Sequence, residues 1–284
     1  MRKQTVLILS IALIILSCGR KSNKTFVSIG SNRIPEDTVP FEYKHKLIVF
    51  NGIYEDSIHL NFIFDTGWVG LSISDSLKSH NGKENRQQSI KKVKIGNLEY
   101  TWNDMYYLAS NHRLFTGFDK THGAFDWKIF ENKIIKISYY NKYISILDNI
   151  NDLHDYDSIK INKENDIRLG IPITVDVQGK KIKEYVLLDT GFNGMIDFND
   201  DITEKYDIRN KTGREGKWGY PVKADTIRLG IYYLLGENRT VGFMKKNGGR
   251  RAPFAGIIGN RILENFDVIL DLKNYYLYLK PIEE

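Results

Sequence analysis

The sequence predicts an all-β protein made of two related halves. Of the 284 residues, 17 are Tyr, 14 are Phe and only 6 are Pro, and β-strands favour aromatic residues over Pro. Apolar and polar residues alternate between positions 171 and 188, which is the period of half-buried strands. The block of residues around Asp65 recurs around Asp189, and this indicates an internal duplication.

The composition excludes several classes of protein. Hydrophobic residues make up 42% and charged residues 27% of the chain, so neither a disordered chain nor a multi-span membrane protein is expected. The net charge of +6 comes from basic residues interleaved with acidic ones, which argues against a nucleic-acid partner. The 6 His show no metal-ligand spacing, and the single Cys excludes an intramolecular disulfide and a Cys-based zinc site. We therefore expect neither a metal nor a cofactor.

Residues 1–17 have the pattern of a secretory signal peptide. Arg2 and Lys3 precede the apolar run 6–16, which is shorter than the roughly 20 residues that span a bilayer. Cys18 follows, and Ile15-Leu16-Ser17-Cys18 resembles the bacterial lipobox, in which this Cys is lipidated. Lipidation would anchor the protein in the cell envelope without spanning the membrane. The alternative is an ordinary signal peptide with an incidental Cys.

The rest of the chain divides into four segments. Residues 18–40 are polar and lack a hydrophobic period, so a flexible tether is expected. The basic residues just after Cys18 favour a periplasm-facing position over exposure at the cell surface. Residues 41–150 and 167–284 are the two halves, and the polar segment 151–166 links them. Because both halves lie in one chain, no oligomer is required.

Three blocks occur in the same order in both halves. Phe64-Asp65-Thr66-Gly67 corresponds to Leu188-Asp189-Thr190-Gly191, at an offset of 189 − 65 = 124. The other two blocks pair 93–96 with 227–230 and 123–132 with 256–265. The offset changes only between blocks, which argues for two copies of one module.

The second half has the clearest strand pattern. Two alternating segments flank the turn Gln178-Gly179-Lys180 and predict a hairpin that runs into Asp189. The segment from Phe266 to Leu279 predicts two further strands around Lys273-Asn274. Short helices are expected near 127–132 and 260–265.

The duplicated motif resembles the aspartic proteases of the pepsin and retropepsin type. Each half carries hydrophobic residues followed by Asp-Thr-Gly, and Gly256-Ile257-Ile258-Gly259 matches the later hydrophobic-hydrophobic-Gly segment of that family. The resemblance covers about 47–279. It implies the acid-protease fold, with two homologous β-barrel lobes related by a pseudo-two-fold axis and a central cleft. The size of each half is closer to a retropepsin subunit than to a pepsin lobe.

The resemblance assigns catalysis to Asp65 and Asp189. Two carboxyl groups that share one proton can activate a water as general base and protonate the amide as general acid. The residues expected to support the two loops are Thr66, Gly67, Thr190, Gly191, Ile257, Ile258 and Gly259. The partner would be a peptide or protein substrate bound as an extended strand.

A hairpin flap over the cleft is also implied by the resemblance. The candidate segments are 83–93 in the first half and 213–227 in the second. The candidate flap or cleft residues are Trp68, Phe192, Trp218 and Tyr220.

The motifs depart from the family pattern at three positions. Trp68 and Phe192 stand where many members have Ser, Thr or Ala. A ring cannot replace the Ser hydroxyl at a carboxylate and makes the surroundings more apolar, so we expect an upward shift in the pKa of the pair and a less acidic optimum. Asp126 stands where the second half has Gly259, which predicts weaker support for the Asp65 loop.

The sequence therefore predicts an aspartic endopeptidase of the bacterial cell envelope. The alternative is a non-catalytic, peptide-binding lipoprotein with the same cleft, which Trp68, Phe192 and Asp126 would favour. The retained pair Asp65 and Asp189 favours catalysis, because binding alone needs no two acids that share a proton.

Overall fold

The structure is a computed structural model. The residues it describes are 38–77, 86–87, 91–103, 105–117, 121–150, 153–165, 167–211, 213–216, 219–234, 239–245 and 253–282. The predicted signal peptide, Cys18, the tether up to residue 37 and Trp218 lie outside the described residues.

In the first half of the chain, the described elements are mostly strands. These are β1 (Thr38–Pro40), β2 (Glu42–Lys44), β3 (Leu47–Tyr54), β4 (Ile58–Phe64), β5 (Leu71–Ser74), β6 (Arg86–Gln87), β7 (Lys91–Ile95), β8 (Leu98–Trp102), β9 (Met105–Leu108), β10 (Gly123–Phe125), β11 (Ile134–Ser138) and β12 (Tyr143–Leu147). The helical elements are the 3₁₀ turns Asp75–Leu77 and Trp127–Phe130 and the helix α1 (Arg113–Thr116).

The second half is also mainly β-structure. Its described strands are β13 (Asp157–Lys160), β14 (Asn162–Glu164), β15 (Arg168–Val177), β16 (Lys180–Leu188), β17 (Ile196–Phe198), β18 (Gly219–Lys223), β19 (Thr226–Leu229), β20 (Tyr232–Leu234), β21 (Thr240–Met244), β22 (Gly256–Ile258), β23 (Phe266–Asp271) and β24 (Tyr276–Pro281). Its helices are α2 (Asp200–Lys205) and α3 (Asn260–Leu263). In the described part of the chain, no helix has the length and apolarity needed to cross a membrane. The all-β prediction is confirmed.

The local predictions for the second half are confirmed. Strands β15 and β16 pair antiparallel from Gly170 to Val177, and alternate residues of β15 are buried. Gln178 and Gly179 have φ of 52° and 73°, and two positive φ values match the turn to the right-handed twist of the strands. The predicted final strands are β23 and β24, and the predicted helix near 260 is α3.

Two nine-stranded sheets, counted over the described residues, have corresponding strand orders. The first is β6-β9-β5-β10-β4-β3-β7-β8, with β2 on β3. The second is β18-β21-β17-β22-β16-β15-β19-β20, with β14 on β15. The strand directions correspond as well: β10 runs parallel to β4 and β22 parallel to β16. The three blocks of the sequence repeat therefore lie at corresponding places in the two sheets.

A third sheet joins the two halves of the chain. Its order is β1-β12-β11-β23-β24-β13, with strands from both halves paired at β11 and β23. The segment 151–166, expected only to link the halves, contains β13 and β14. Ile159 is buried in β13 between exposed neighbours, so this segment is packed and not merely a linker. The predicted tether likewise ends in strand β1.

Aromatic side chains fill much of the core, as the composition indicates. In the first half, Phe64 contacts Phe130 edge to face with ring centroids 5.3 Å apart, and Phe50 stacks on Phe125 at 5.9 Å. In the second half, Phe198 stacks on Phe243 at 5.3 Å. Such pairs stabilise a core beyond the area they bury, and the pair of Phe64 with Phe130 holds the end of β4, the strand that leads to Asp65.

Candidate active site

Asp65 and Asp189 occupy corresponding turns at the ends of two buried strands. Asp65 follows β4 and Asp189 follows β16. The Asp65 amide donates to Phe125 O at 3.0 Å, and the Asp189 amide donates to Ile258 O, also at 3.0 Å. The backbone of Asp65 is therefore held by β10, which runs parallel to β4. The backbone of Asp189 is held by β22, which runs parallel to β16.

The two aspartate loops are joined through their threonines. The Thr66 amide donates to Thr190 Oγ1 and the Thr190 amide donates to Thr66 Oγ1, both at 3.0 Å. The Thr66 hydroxyl also donates to Leu188 O at 2.7 Å, and the Thr190 hydroxyl donates to Phe64 O at 2.8 Å. Both threonines are fully buried, so these four bonds hold the loops in one fixed relation.

Each carboxyl group lies against the glycine of the opposite loop. A Cβ built on Gly191 would come within 2.1 Å of Asp65 Cγ, and one on Gly67 would come within 2.5 Å of Asp189 Cγ. Asp65 and Asp189 are only 8% and 2% exposed. The Gly67 amide donates to Asp65 Oδ1 at 2.9 Å. Gly67 and Gly191 therefore leave room for the two carboxyl groups where the two aspartate loops meet.

Strand β22 and the glycine after it lie against the Asp189 loop. Ile257 and Ile258 pair with Leu187 and Leu188. A Cβ on Gly259 would come within 2.3 Å of Phe192 O, so a larger residue would displace the loop. Ile257, Ile258 and Gly259 thus hold the second loop through the backbone.

Asp126 supports the Asp65 loop, which differs from the expectation of weaker support. Its carboxylate is buried and accepts from the Gly70 amide at 2.7 Å and from the Trp102 indole at 3.3 Å. Its own amide donates to Gly70 O at 3.2 Å. A carboxylate that accepts several N–H groups holds a turn more firmly than glycine does, so Asp126 ties the end of this loop to the sheet.

The rings after the two motifs have different surroundings. The Trp68 indole donates to Ser72 Oγ at 2.8 Å, so its N–H is directed to the sheet. Phe192 packs against the buried pair Leu187 and Ile257. Both rings are partly exposed.

The flap candidates lie partly within the sheets. In the described part of 213–227, β18 pairs with β21, whereas β19 pairs with β15 and β20, so this segment is not a single hairpin. Tyr220 is buried, stacks on Phe243 at 5.9 Å and donates to Ile208 O. Tyr220 therefore packs into the core of the second half and does not lie at the tip of a flap. The described parts of 83–93 belong to β6 and β7, and the remainder lies outside the described residues.

Asn260 is a loop-supporting residue that sequence reasoning missed. It is fully buried, and its amide donates to Thr190 O at 2.6 Å and to Lys46 O at 2.7 Å. The Tyr139 hydroxyl donates to Asn260 Oδ1 at 2.8 Å; burial raises the pKa of Tyr139, which keeps this donor protonated. The only signal was a polar residue directly after Gly259, where the first half has Trp127.

In the first half, Trp127 occupies the position of Asn260, and a different side chain bonds to the aspartate loop. The Trp127 indole donates to Ile167 O at 3.0 Å. The neighbouring Arg168 donates a guanidinium N–H to Gly67 O. Arg168 thus brings a positive charge from the first residue of β15 to the Asp65 loop.

A cavity of about 380 Å³ lies beside the Asp189 loop. Phe192, Met195 and Tyr220 form apolar walls, and Asp197 and Thr240 add polar groups. Within the described residues, no cluster of His, Cys, Asp or Glu has the arrangement of a metal site.

No protein-family model matches the chain, and no curated protein matches it.

Proposed function

We propose that this protein is an aspartic endopeptidase that hydrolyses peptide bonds with a water held between Asp65 and Asp189. The observation that carries this proposal is the reciprocal placement of the two carboxyl groups, each against the glycine of the opposite loop. Two buried carboxyl groups at one junction cannot both ionise easily, so they hold one proton between them.

The chemistry follows from that shared proton. The ionised carboxylate takes a proton from the water while its oxygen attacks the peptide carbonyl, and the protonated partner donates its proton to the carbonyl oxygen. The carboxyl group that took the water's proton then gives it to the amine nitrogen as the C–N bond breaks. The other carboxylate takes back a proton from a hydroxyl of the tetrahedral carbon as the carbonyl re-forms, which restores the shared proton. The threonine bonds hold both acids in place, and accurate placement of this kind is worth several powers of ten in rate.

The architecture supports the same proposal. The corresponding strand orders of the two nine-stranded sheets fit two homologous lobes related by a pseudo-two-fold axis, each lobe supplying one Asp-Thr-Gly loop. This is the acid-protease arrangement that the motifs resemble, in a single-chain form of retropepsin-like size. A central cleft between such lobes would take an extended peptide or a protein segment, bound through its backbone.

The test is cleavage of a mixture of unfolded peptides by the purified full chain, between about pH 3 and about pH 8. Asp65→Asn and Asp189→Asn should each lower the rate by about a thousandfold or more. Asp148→Asn is the matched control, because it removes an exposed carboxylate just after strand β12, outside both candidate flap segments, and should leave the rate unchanged. Cleavage that survives in either Asp65→Asn or Asp189→Asn would overturn the proposal. A cleavage rate that is highest below about pH 4 would contradict the expected less acidic optimum.

We also propose that the mature protein is a lipoprotein of the bacterial envelope, facing the periplasm. The support is the position of Cys18, the single Cys in the chain, directly after the apolar run. A metabolically supplied radiolabelled fatty acid should label the wild-type protein, and Cys18→Ser should abolish this labelling. Equal labelling of the variant, or no labelling of the wild type, would rule out a lipid anchor at Cys18.

A further inference from the structure

Gly67 lies against both carboxyl groups of the candidate site. Its amide donates to Asp65 Oδ1 at 2.9 Å, and a Cβ built on it would come within 2.5 Å of Asp189 Cγ. A charge that is held at Gly67 therefore acts on the pair of acids and not on one of them alone.

The side chain of Arg168 brings such a charge to Gly67. Its guanidinium donates an N–H to Gly67 O, so the guanidinium and the Asp65 carboxyl group bond to the two polar groups of one residue. Standard backbone dimensions then place the guanidinium within about 9 Å of that carboxyl group. The Trp127 indole donates to Ile167 O at 3.0 Å and holds the backbone next to Arg168. The contact with Gly67 is partly buried, where salt screens a charge less than at an exposed surface.

The other charged groups around the first aspartate loop oppose one another. The Asp126 carboxylate accepts from the Gly70 amide at 2.7 Å, and Lys128 borders the same cavity as these two residues, so a negative and a positive charge lie near each other. Glu164 is the register partner of Arg168 on β14, but it is exposed, and water weakens its effect on the guanidinium. These groups leave the positive charge of Arg168 acting on the loop.

The charged groups around the second aspartate loop are matched in the same way. Lys46 Nζ lies 2.8 Å from a carboxylate oxygen of Glu264, and Asp197 and Arg261, of opposite charge, border one cavity. Burial raises the pKa of Tyr139, so this residue is neutral wherever a carboxyl group titrates. The described surroundings of the second loop therefore contain both signs of charge.

The first half has a cation at the position that corresponds to Arg168. The offset between the two motifs is 124, and 168 − 124 = 44, so Lys44 stands there. Lys44 pairs with Glu42, and both side chains are more than half exposed. An exposed ion pair exerts little field on a buried group. The halves therefore differ, because the second half directs its cation to the aspartate loops.

From this arrangement we infer that Arg168 is a positioning residue of the proposed peptidase, whose charge holds the pair Asp65 and Asp189 in its singly ionised form on the acid side of the optimum. The inference rests on the proposed function. A nearby positive charge favours the ionised form of a carboxyl group, and two acids in contact titrate as one unit. The rings of Trp68 and Phe192 are expected to act in the opposite direction, so Arg168 limits how far the optimum moves out of the acid range.

The first measurement is the pH profile of peptide cleavage by the full chain. Arg168→Met removes the charge, so the acid limb of the kcat/KM profile should move to higher pH by about one unit, which is about a tenfold loss on that limb. Arg168→Lys keeps the charge and should keep the limb near its wild-type position. Lys44→Met removes the corresponding exposed cation and should leave the profile in place. Structural damage alone would lower kcat/KM at every pH without moving the limb.

The second measurement does not depend on cleavage. Carboxyl carbons of aspartate are labelled with carbon-13 and followed by NMR across the same pH range. In the Asp189→Asn background Asp65 titrates without its partner, so the midpoint belongs to that residue alone. Arg168→Met should raise this midpoint by about one unit, whereas Lys44→Met should not. Arg168→Gln is also neutral and serves where Arg168→Met does not fold, and equal unfolding midpoints confirm the fold of each variant.

The outcomes separate this inference from the proposed function. An unchanged midpoint in Arg168→Met, or an equal shift in Arg168→Lys, overturns the inference even where peptides are cut. Cleavage whose acid limb stays in place in Arg168→Met overturns it as well. A shifted midpoint with no cleavage at any pH upholds the effect of Arg168 on the carboxyl groups and defeats the peptidase proposal. An unchanged midpoint together with no cleavage defeats both.

Discussion

Thr66 and Thr190 exchange two hydrogen bonds of equal length across the junction of the aspartate loops. The amide of each donates to the hydroxyl of the other at 3.0 Å. The residues are 124 positions apart in the sequence, so this contact ties together two distant parts of the chain. It also makes the position of each aspartate depend on the other loop.

Replacing Thr66 by Val is expected to destabilise the protein. The change keeps the shape of the side chain but leaves the Thr190 amide and Leu188 O buried without this hydroxyl. The free energy of unfolding should fall by about 2–4 kcal/mol, measured by urea denaturation. Thr66→Ser keeps the hydroxyl and is the control, with an expected loss below about 1 kcal/mol. Equal losses in the two variants would show that the hydroxyl bonds do not hold the loops.

Gly191→Ala is expected to abolish most activity because the new Cβ would overlap the Asp65 carboxyl group. That carboxyl group must move, and kcat/KM should fall by about a hundredfold or more. Gly67→Ala should act in the same way through Asp189. Gly179→Asn is the control: this turn residue has φ of 73° with nothing within 4 Å, and Asn tolerates that conformation. Full activity in Gly191→Ala would show that activity does not depend on the position that the Asp65 carboxyl group has in this structure.

Asp126→Gly places in the first half the residue that the second half has. The amide of Gly70 and the indole of Trp102 would lose a buried acceptor, so the free energy of unfolding should fall by about 2–4 kcal/mol. Asp126→Asn keeps one acceptor oxygen and should lose less. Urea denaturation of both variants tests whether Asp126→Gly loses more free energy of unfolding than Asp126→Asn. If Asp126→Gly is as stable as the wild type, Asp126 does not support the loop.

The sequence predicts those parts of the site that depend on short local patterns. Asp65, Asp189 and the glycines lie in a duplicated motif, and the hairpin of β15 and β16 follows from strict alternation around a turn. Asn260 and Arg168 were not predicted, because their roles depend on contacts with carbonyls far away in the chain. Every residue has a backbone carbonyl that can accept a hydrogen bond. The residue type at the acceptor position therefore gives no sequence signal for such contacts.

Two other features of the fold were hidden for a different reason. Strand β13 was predicted to be part of a linker because its exposed positions are polar and outnumber the buried Ile159. Asp126 was expected to weaken its loop because a carboxylate replaces a glycine, but the N–H groups that surround it come from separate elements. In both cases tertiary packing decides what the local pattern leaves open.

His122 is expected to make stability depend on pH. Its Nδ1 accepts from the Asn61 amide at 3.0 Å, and its own amide donates to Asn61 O at 2.8 Å. Burial lowers the pKa of His122 below the ordinary value of 6.5, so the unfolded chain binds a proton more readily than the native protein. The free energy of unfolding is therefore highest above pH 6.5, the ordinary pKa. It falls as the pH drops from 6.5 through the lower pKa that His122 has in the native protein. Protonation of Nδ1 would also remove the acceptor for Asn61.

The measurement is urea denaturation at about pH 7.5 and about pH 5.5, on either side of the ordinary histidine value. His122→Asn offers an amide oxygen in place of Nδ1 but does not titrate, so its stability should fall less than that of the wild type between the two conditions. His59→Asn is the control, because His59 is exposed on β4 and its loss leaves the contact between His122 and Asn61 in place. If the free energy of unfolding of His122→Asn falls by as much as that of the wild type between the two pH values, the buried histidine is not the source of the pH dependence.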